Sequence, residues 1–411
     1  MNNDGQNVEV DWIGTIPANW RVARFRHLFD EKKPIRNPRL NSGSISFGTV
    51  VYKNDESIPE STKESYQEVL KGEFLINPLN LNYDLKSLRI ALSRIDVVVS
   101  QGYIVLKIHD DLHPNYYEYL LRKFDVEHMK SLGQGVRQTI SFTHLKDQKL
   151  VVPPLEEQKL IARYLDKKTS QIDSLVEKIQ KKIELLKEQR SSLINHYVTK
   201  GLDPNVEMKD SGVEWIGEIP KHWEVKKLKY ISKQISEKRV PVDGDIKIAP
   251  ENVEGDTGRI MNFYSDYETE GQIFQNGDIL FNKLRVYLNK VVLCEFEGLS
   301  MGEMIVVRPV LLENLFLYRV LSSRGFINQV NSLSEGVKLP RPSVSGIFAS
   351  YVPIPPTEEQ YEIYKIIKQK TDLLDQVVDK YNCQINYLRE YRQSLISSVV
   401  TGKIRVSEDM I

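Results

Sequence analysis

Cysteine, long apolar runs and an excess of charge of either sign are all missing from this sequence. Its 411 residues include two cysteines, Cys294 and Cys383, which are too few for a disulfide framework and predict a reducing, cytoplasmic compartment. The polar start "MNNDGQNVEVDW" is not a signal peptide, and the apolar runs are too short to cross a bilayer, so no membrane segment is expected. Basic and acidic residues number 56 each, so no basic block indicates nucleic acid, although a local basic patch is compatible with this balance.

Motifs for catalysis are also scarce. "NPLN" at Asn77–Asn80 lacks the second proline and the aromatic residue of an adenine methyltransferase motif. "HDDLH" at His109–His113 lacks the glutamate of a zinc helix, and Asp245–Lys247 is half of a nuclease D-x-K motif with no evident partner carboxylate. We therefore expect a chain without a catalytic centre, metal or cofactor of its own; an enzyme with an unfamiliar site is one alternative.

What the sequence does contain is one unit written twice. The motif "VVPPLEEQ" ends at Gln158, and its second copy, "PIPPTEEQ", ends 202 positions later at Gln360. The other repeated motifs occur in the same order in both halves. They are "WIGTIPANW" and "WIGEIPKHW" (Trp12–Trp20 and Trp215–Trp223), "KGEFLIN" and "NGDILFN" (Lys71–Asn77 and Asn276–Asn282), "GQGVRQTI" and "SEGVKLPR" (Gly133–Ile140 and Ser334–Arg341), and "LKEQRSSLI" and "LREYRQSLI" (Leu186–Ile194 and Leu388–Ile396). Because the residues between these motifs differ and the period is long, we infer tandem domains with a common frame rather than a solenoid.

The first part of each copy predicts an α+β domain. "GEFLIN", "GDILFNK", "YIVLKI" and "EMIVVRP" are apolar or alternating runs bounded by glycine or proline, which favours strands. "PNYYEYLLRKF" favours a helix, with Pro114 in its first turn.

The second part of each copy predicts a helix of about 40 residues with a heptad seam. Arg190 and Arg392 occupy core positions of otherwise apolar seams, Thr357 and Gln360 match a capping box, and Gly201 and Gly402 stand where a helix ends. The apolar seam positions are Ile172, Val176, Ile179, Ile183, Leu186, Leu193 and Tyr197 in the first copy, and Leu374, Val378, Tyr381, Ile385, Leu388, Leu395 and Val399 in the second. A lone helix of this kind is unstable in water, so we expect the two copies to pair antiparallel with pseudo-two-fold symmetry.

The order of these repeated motifs resembles that of the DNA-specificity subunits of Type I restriction–modification systems. The resemblance covers nearly the whole chain, and "FNKLRVYLNKV" (Phe281–Val291) is also typical of that family. It implies two target-recognition domains in tandem, at 1–153 and 202–355, separated by antiparallel coiled-coil helices at 154–201 and 356–403, with a tail at 404–411.

The same resemblance implies a non-catalytic DNA-binding role. Each recognition domain would read one half of a bipartite site in double-stranded DNA, while the helices set the spacer and dock two methyltransferase subunits that methylate adenine N6. S-adenosylmethionine would be held by those partners, and ATP and Mg by restriction (translocase) subunits. A coiled-coil scaffold with two protein-binding domains is the alternative from another functional class.

Candidate DNA contacts lie in loops that a rigid sheet would present. Three sets of segments contain side-chain amides or cations, the groups that form hydrogen bonds with base edges or phosphates. They are Asn80 and Asn82 in "NPLNLN", Arg137, Gln138, Lys338 and Arg341 after the repeated glycines, and Asn282, Lys283 and Arg285 in "NKLRVYLNK". Trp12, Trp20, Trp215 and Trp223 are the same in both copies, so we interpret them as core rather than as base-stacking platforms.

Candidate partner-docking residues are apolar positions of the long helices that lie off the seam, because outward apolar rows suggest a docked protein. These positions are Leu175, Leu185, Ile194, Val377 and Ile396.

Overall fold

The computed structural model describes residues 9–79, 88–132, 139–334, 336 and 340–411, which fall into two compact units. Unit 1 contains the described residues up to Lys178 together with Gln384–Ile411, and unit 2 contains Ile179–Cys383. Two long helices, Leu155–Lys200 (long helix 1) and Thr357–Val400 (long helix 2), each contribute residues to both units. Each unit thus combines one α+β domain with parts of two long helices, and the tandem α+β fold predicted from the sequence is confirmed.

Unit 1 is built around a four-stranded antiparallel sheet. Its strands lie in the order Phe29–Glu31, Ile104–Ile108, Phe74–Ile76 and Ile90–Leu92. The two middle strands come from "YIVLKI" and "GEFLIN", as predicted, and both bury their apolar side chains. Smaller antiparallel pairs join Glu9–Val10 with Gly14–Thr15, Arg21–Arg24 with Lys149–Val152, Gly43–Ser46 with Thr49–Tyr52, and Gln67–Val69 with Val97–Val99.

The principal helix of this domain is Pro114–Glu127, with proline in its first turn as predicted. It buries Tyr116, Tyr117 and Phe124 against the sheet side of the core, and the Tyr116 hydroxyl donates to the Val400 carbonyl at 3.0 Å. That bond joins the domain to the end of long helix 2. The short α-helices are Glu60–Lys63 and Phe142–Leu145, and the 3-10 turns are Phe25–His27, Asp55–Ser57, Met129–Leu132 and, in the tail, Glu408–Met410.

Unit 2 repeats the central sheet. Its strands lie in the order Ser232–Ile235, Met304–Pro309, Ile279–Asn282 and Val291–Leu293, all antiparallel. A second sheet, in the order Lys238–Arg239, Gly271–Phe274, Gly298–Ser300 and Lys247–Ile248, packs a separate apolar cluster that includes Phe274 and Cys294. Further pairs join Glu224–Lys227 with Tyr351–Ile354 and Met208–Asp210 with Glu218–Pro220. The helices are Asn314–Leu321, Arg324–Ser332 and Val344–Ala349, with 3-10 turns at Leu228–Tyr230, Pro250–Asn252 and Val286–Leu288.

The repeated tryptophans belong to this common frame, as expected. Trp20 and Trp223 are buried in the cores of their units. Trp12 and Trp215 are partly buried and donate to the carbonyls of Lys149 and Tyr351, at 3.0 and 3.3 Å. Those two acceptors are themselves 202 positions apart, so the repeat extends to the hydrogen-bond partners.

The glutamines of the repeated "PPxEEQ" motif have a role that the sequence did not reveal. Gln360 does not form the expected capping box with Thr357. Its side chain is buried, accepts from Glu313 N at 2.8 Å and donates to Pro355 O at 2.9 Å. Gln158 does the same with His113 N and Pro153 O, each at 2.8 Å. Each glutamine thus satisfies a backbone amide at the start of a domain helix and ties that helix to a long helix.

The long helices pack antiparallel within each unit, which confirms the predicted pairing. In unit 2, Arg190 Nε lies 2.9 Å from Asp375 Oδ1, and Lys370 Nζ donates to the Tyr197 hydroxyl at 2.8 Å. In unit 1, Arg392 Nε donates to Asp173 Oδ1 at 2.9 Å. Arg190 and Arg392 are 202 positions apart, and so are Asp173 and Asp375. The two seam arginines therefore form equivalent ion pairs, one in each unit.

Two of the five residues predicted to face a partner are buried instead. Ile194 is 2% exposed and Ile396 is 4% exposed, because each packs into the core of the α+β domain of its own unit. Leu175 is exposed at 41% and Leu185 at 63%, while Val377 is partly covered. Of the five residues, Leu175 and Leu185 remain prominent apolar surface positions.

Among the described residues, no helix is both long enough and apolar enough to cross a membrane.

Both long helices end at the predicted glycines, Gly201 and Gly402, with φ of +72° and +74°. We expect Gly402→Ala to lower the free energy of unfolding by about 2–3 kcal/mol, because alanine is strained at this φ and its Cβ would lie 2.4 Å from Pro17 Cγ. Gly212→Ala is the matched control: its φ is +69° and nothing lies within 4 Å of the added Cβ, so only about 1 kcal/mol is expected. Chemical denaturation measures both, and equal losses would show that helix-end packing contributes nothing.

Candidate nucleic-acid interface

The predicted DNA contacts divide into those that the structure describes and those that it does not. Asn80, Asn82, Arg137, Gln138 and Lys338 lie outside the described residues. The remaining four, Asn282, Lys283, Arg285 and Arg341, all belong to unit 2.

Asn282 shapes its loop rather than facing solvent. It ends a strand of the central sheet and is 5% exposed. Its amide donates to Leu284 O at 2.7 Å, and its carbonyl oxygen accepts from Leu284 N at 3.2 Å. These bonds close an Asx-type turn and occupy the side chain, so the expectation that Asn282 contacts DNA is corrected to a structural role.

The loop that follows, Arg285–Asn289, presents an exposed cation. Arg285 and Asn289 both have left-handed backbones, with φ of +53° and +49°, and enclose the 3-10 turn Val286–Leu288. Arg285 N donates to Pro340 O at 3.1 Å, while its side chain is exposed and has no hydrogen bond or ion pair with any described residue. Such a side chain is available to a phosphate or to a base edge. We call Arg285–Asn289 the reading loop.

Lys283 and Arg341, far apart in sequence, meet at one carboxylate. Lys283 Nζ lies 2.7 Å from Glu303 Oε2, and Arg341 Nη1 lies 2.7 Å from Glu303 Oε1. The hydrogen bond from Lys283, aided by the charge of Arg341, lowers the pKa of Glu303 below its ordinary value. Glu303 therefore stays ionised and holds the two cations side by side near the reading loop.

Both units join the same two segments at this place. In unit 2 the bond from Arg285 N to Pro340 O links the loop after "GDILFN" to the segment after "SEGVK". In unit 1 Ile140 N donates to Pro78 O at 3.2 Å and links the equivalent loops after "GEFLIN" and "GQGVR". The sequence analysis named both segments as candidate DNA contacts, each on its own motif. Because the two segments meet in each unit, this junction is the candidate interface.

Two features of unit 2 were missed in the sequence. The segments "SQGYIVLKI" (Ser100–Ile108) and "SMGEMIVVRP" (Ser300–Pro309) are a further repeated pair, in which Glu303 stands where the first copy has Tyr103. This difference inside the common frame was the available signal. Phe263 and Tyr264 are large aromatics that are 56% and 73% exposed in the long segment between two strands of unit 2. Nothing in their spacing distinguished them from core residues.

Two of the motifs considered for catalysis, Asp245–Lys247 and His109–His113, have structural roles. Arg239 donates to both carboxylate oxygens of Asp245, at 2.6 and 2.7 Å, and holds the pKa of that carboxyl at about 2. His113 directly precedes the helix that begins at Pro114, so "HDDLH" is a strand-to-helix connection. Within the described part of the chain, no three histidine, cysteine, aspartate or glutamate side chains cluster as metal ligands would.

Comparison with known proteins places this architecture in context. Residues 17–185 match the Type I restriction modification DNA specificity domain. The putative type I restriction enzyme MjaX specificity subunit of Methanocaldococcus jannaschii is 26% identical, covering 98% of this chain and 97% of the relative. The type I restriction enzyme EcoDI specificity subunit of Escherichia coli is 21% identical, covering 70% of this chain and 69% of the relative.

Solved structures share the fold. A chain from a structure of a type I R-M system has a TM-score of 0.69 at 12% identity, covering 95% of this chain and 100% of the other. The HsdS subunit from Thermoanaerobacter tengcongensis has a TM-score of 0.50 at 15% identity, covering 95% and 98%. The duplicated α+β arrangement with two long helices therefore recurs in these proteins.

The reading loop and the Glu303 cluster predict opposite effects on DNA binding. Arg285→Ala in the full chain should weaken binding to duplex DNA and reduce the slope of log affinity against log salt by about one, because one phosphate contact is lost. Glu303→Gln should strengthen binding and steepen the slope, because Lys283 and Arg341 lose their carboxylate. Fluorescence anisotropy at several salt concentrations measures both slopes. If the two variants change the slope in the same direction, this junction does not face DNA.

Proposed function

Because the chain belongs to the family of DNA-specificity subunits of Type I restriction–modification systems, we propose that each of its units reads one half of a bipartite DNA site. The observation that supports this most directly is the repeated junction of two loops. The frame that carries the junction is repeated in both units, including the bonds of the repeated tryptophans and glutamines, while the loops on it differ. Identical frames with different loops are what two readers of different sequences need.

We further propose that the long helices set the length of the unread spacer and dock two methyltransferase subunits. Leu175 and Leu185 are exposed apolar side chains on long helix 1 and suit protein contact better than solvent. In this proposal the chain itself is non-catalytic. The methyltransferase subunits hold S-adenosylmethionine, and restriction subunits supply the ATP- and Mg-dependent steps.

Exchange of the α+β domain of unit 2 tests whether the two units read their half-sites separately. Replacing residues 221–350 with the equivalent segment of another family member should change the half-site read by unit 2 and leave the other half-site intact. The exchange keeps Trp215, the "PPxEEQ" motif and both long helices. Methylation profiling of cells that carry the chimera with its methyltransferase subunits reads both half-sites directly. A folded, active chimera that alters both half-sites, or neither, contradicts modular reading.

Lengthening the long helices tests the spacer. Four residues inserted at facing positions, after Lys182 in long helix 1 and after Asn382 in long helix 2, add about 6 Å. One base pair occupies about 3.4 Å, so the spacer should grow by about one to two base pairs with both half-sites kept. The insertion also rotates each helix by about 40°, comparable with the duplex turn of about 34° per base pair.

The matched control for this lengthening is four Gly/Ser residues inserted after Asn205, in an exposed loop beyond long helix 1. It adds the same number of residues outside the helices and should leave the spacer unchanged. Methylome sequencing measures the spacer in both variants. An unchanged spacer in an active complex with longer helices would show that the helices do not determine it.

A further inference from the structure

We infer that Arg190, in the seam of long helix 1, is a positioning residue for the reading loop of unit 2. This inference rests on the proposed function, because it concerns how accurately the loop reads DNA. It is carried by a continuous series of hydrogen bonds within unit 2. The series runs from the Arg190 guanidinium through the turn at Asp256 to Asn289, the last residue of the reading loop.

The first link joins the helix seam to the turn. The Arg190 side chain is mostly buried, and its guanidinium binds two different partners through two of its nitrogens. Nε pairs with Asp375 on long helix 2, and Nη1 donates to the backbone carbonyl of Asp256 at 2.8 Å. Asp256 has a left-handed backbone, with φ of +64°. A buried, ion-paired guanidinium is a rigid donor, so it orients this carbonyl and with it the strained turn.

The second link joins the turn to the reading loop. Asp256 N donates to Asn289 O at 2.9 Å, and Asn289 Nδ2 donates to Asp256 Oδ1 at 3.1 Å. Asn289 Nδ2 also donates to Ser322 O at 2.9 Å. Beside this contact, a Cβ on Gly255 would lie 2.4 Å from Leu288 O, so the turn packs directly on the loop backbone. Any shift of the turn is therefore transmitted to the loop that begins at Arg285.

The turn is also tied to long helix 2. Arg259 Nη2 donates to Asp379 Oδ2 at 3.3 Å. A cavity of about 620 Å³ lies between the turn, the two helices and the helix that starts at Arg324. The turn therefore has room to move once its ties are cut. Within unit 2, the Tyr318 hydroxyl also donates to Thr257 O at 3.1 Å. Of the two ties between the turn and the long helices, the one from Arg190 is buried, whereas the Arg259–Asp379 pair is exposed, so Arg190 is the buried restraint that the helices supply.

Among the described residues, the equivalent arginine of unit 1 has no such connection. Arg392 bonds Asp173 through Nε and Nη2, at 2.9 and 3.2 Å, and its side chain is 28% exposed against 8% for Arg190. Within the described residues those are its polar contacts. The chain thus contains a matched pair: two arginines with the same role in the seam, of which one also holds a reading loop.

The test compares Arg190→Lys with Arg392→Lys in the complete complex with methyltransferase subunits. A lysine keeps the positive charge beside the aspartate, but its single ammonium cannot replace the two-sided fork. Methylation of an oligonucleotide library with single-base changes in each half-site gives the discrimination at every position. For Arg190→Lys we expect discrimination between bases to fall by about fivefold in the half-site read by unit 2. This is the lower end of the discrimination that one side-chain contact to a base provides. The other half-site should be unchanged, and Arg392→Lys should change neither.

Asn289→Gly is the second variant, for the case in which Arg190→Lys does not assemble. Glycine accepts the positive φ, so this change removes the side-chain bonds to Asp256 and Ser322 without straining the loop. It should reproduce the loss in the same half-site. The inference is overturned if discrimination is retained, if both half-sites lose it equally, or if Arg392→Lys has the same effect. A wild-type complex that prefers no split sequence would refute the proposed function itself, which is a separate outcome.

Discussion

A charged side chain inside an apolar helix seam must meet a countercharge, and this constraint governs how the long helices pair. Arg190 finds Asp375 in unit 2, and Arg392 finds Asp173 in unit 1. Sliding one helix by a heptad would still match apolar with apolar, but it would leave a partly buried guanidinium unpaired at a cost of several kcal/mol. The two ion pairs therefore specify the antiparallel register more sharply than the leucines and isoleucines around them can.

The repeated motifs act where a long helix meets a domain. Near the start of each long helix, Gln158 or Gln360 satisfies a backbone amide at the start of a domain helix. At the ends, the terminal glycines pack on Trp223 and Trp20. These contacts are the same in both units because they build the common frame. Most of the variation lies between these motifs, in the loops and in the second sheet of unit 2, and it leaves the hydrogen bonds of the two glutamines in place.

How much of the site could be anticipated depended on the kind of signal. Strands, seam and helix-end glycines follow from periodicity and local backbone preference, so they were predicted correctly. Ile194 and Ile396 were assigned outward because a heptad pattern locates one buried face only, and the α+β domain covers a second. Asn282 and Gln360 were misread because a polar side chain has several possible partners, and only the fold selects among Leu284, Glu313 or DNA.

By itself the sequence determined that there are two copies of one α+β unit, that each is followed by a long seamed helix, and where those helices end. The repeated motifs indicate the two copies, the heptads indicate the long helices, and the glycines mark the helix ends. Each of these patterns can be read along the chain without knowing how it packs. Only the tertiary structure decided that Glu303 gathers Lys283 and Arg341, and that Arg190 reaches Asp256 whereas Arg392 has no equivalent contact among the described residues. Those pairings join residues 20 to 66 positions apart, and a contact at such separation depends on packing that no local pattern encodes.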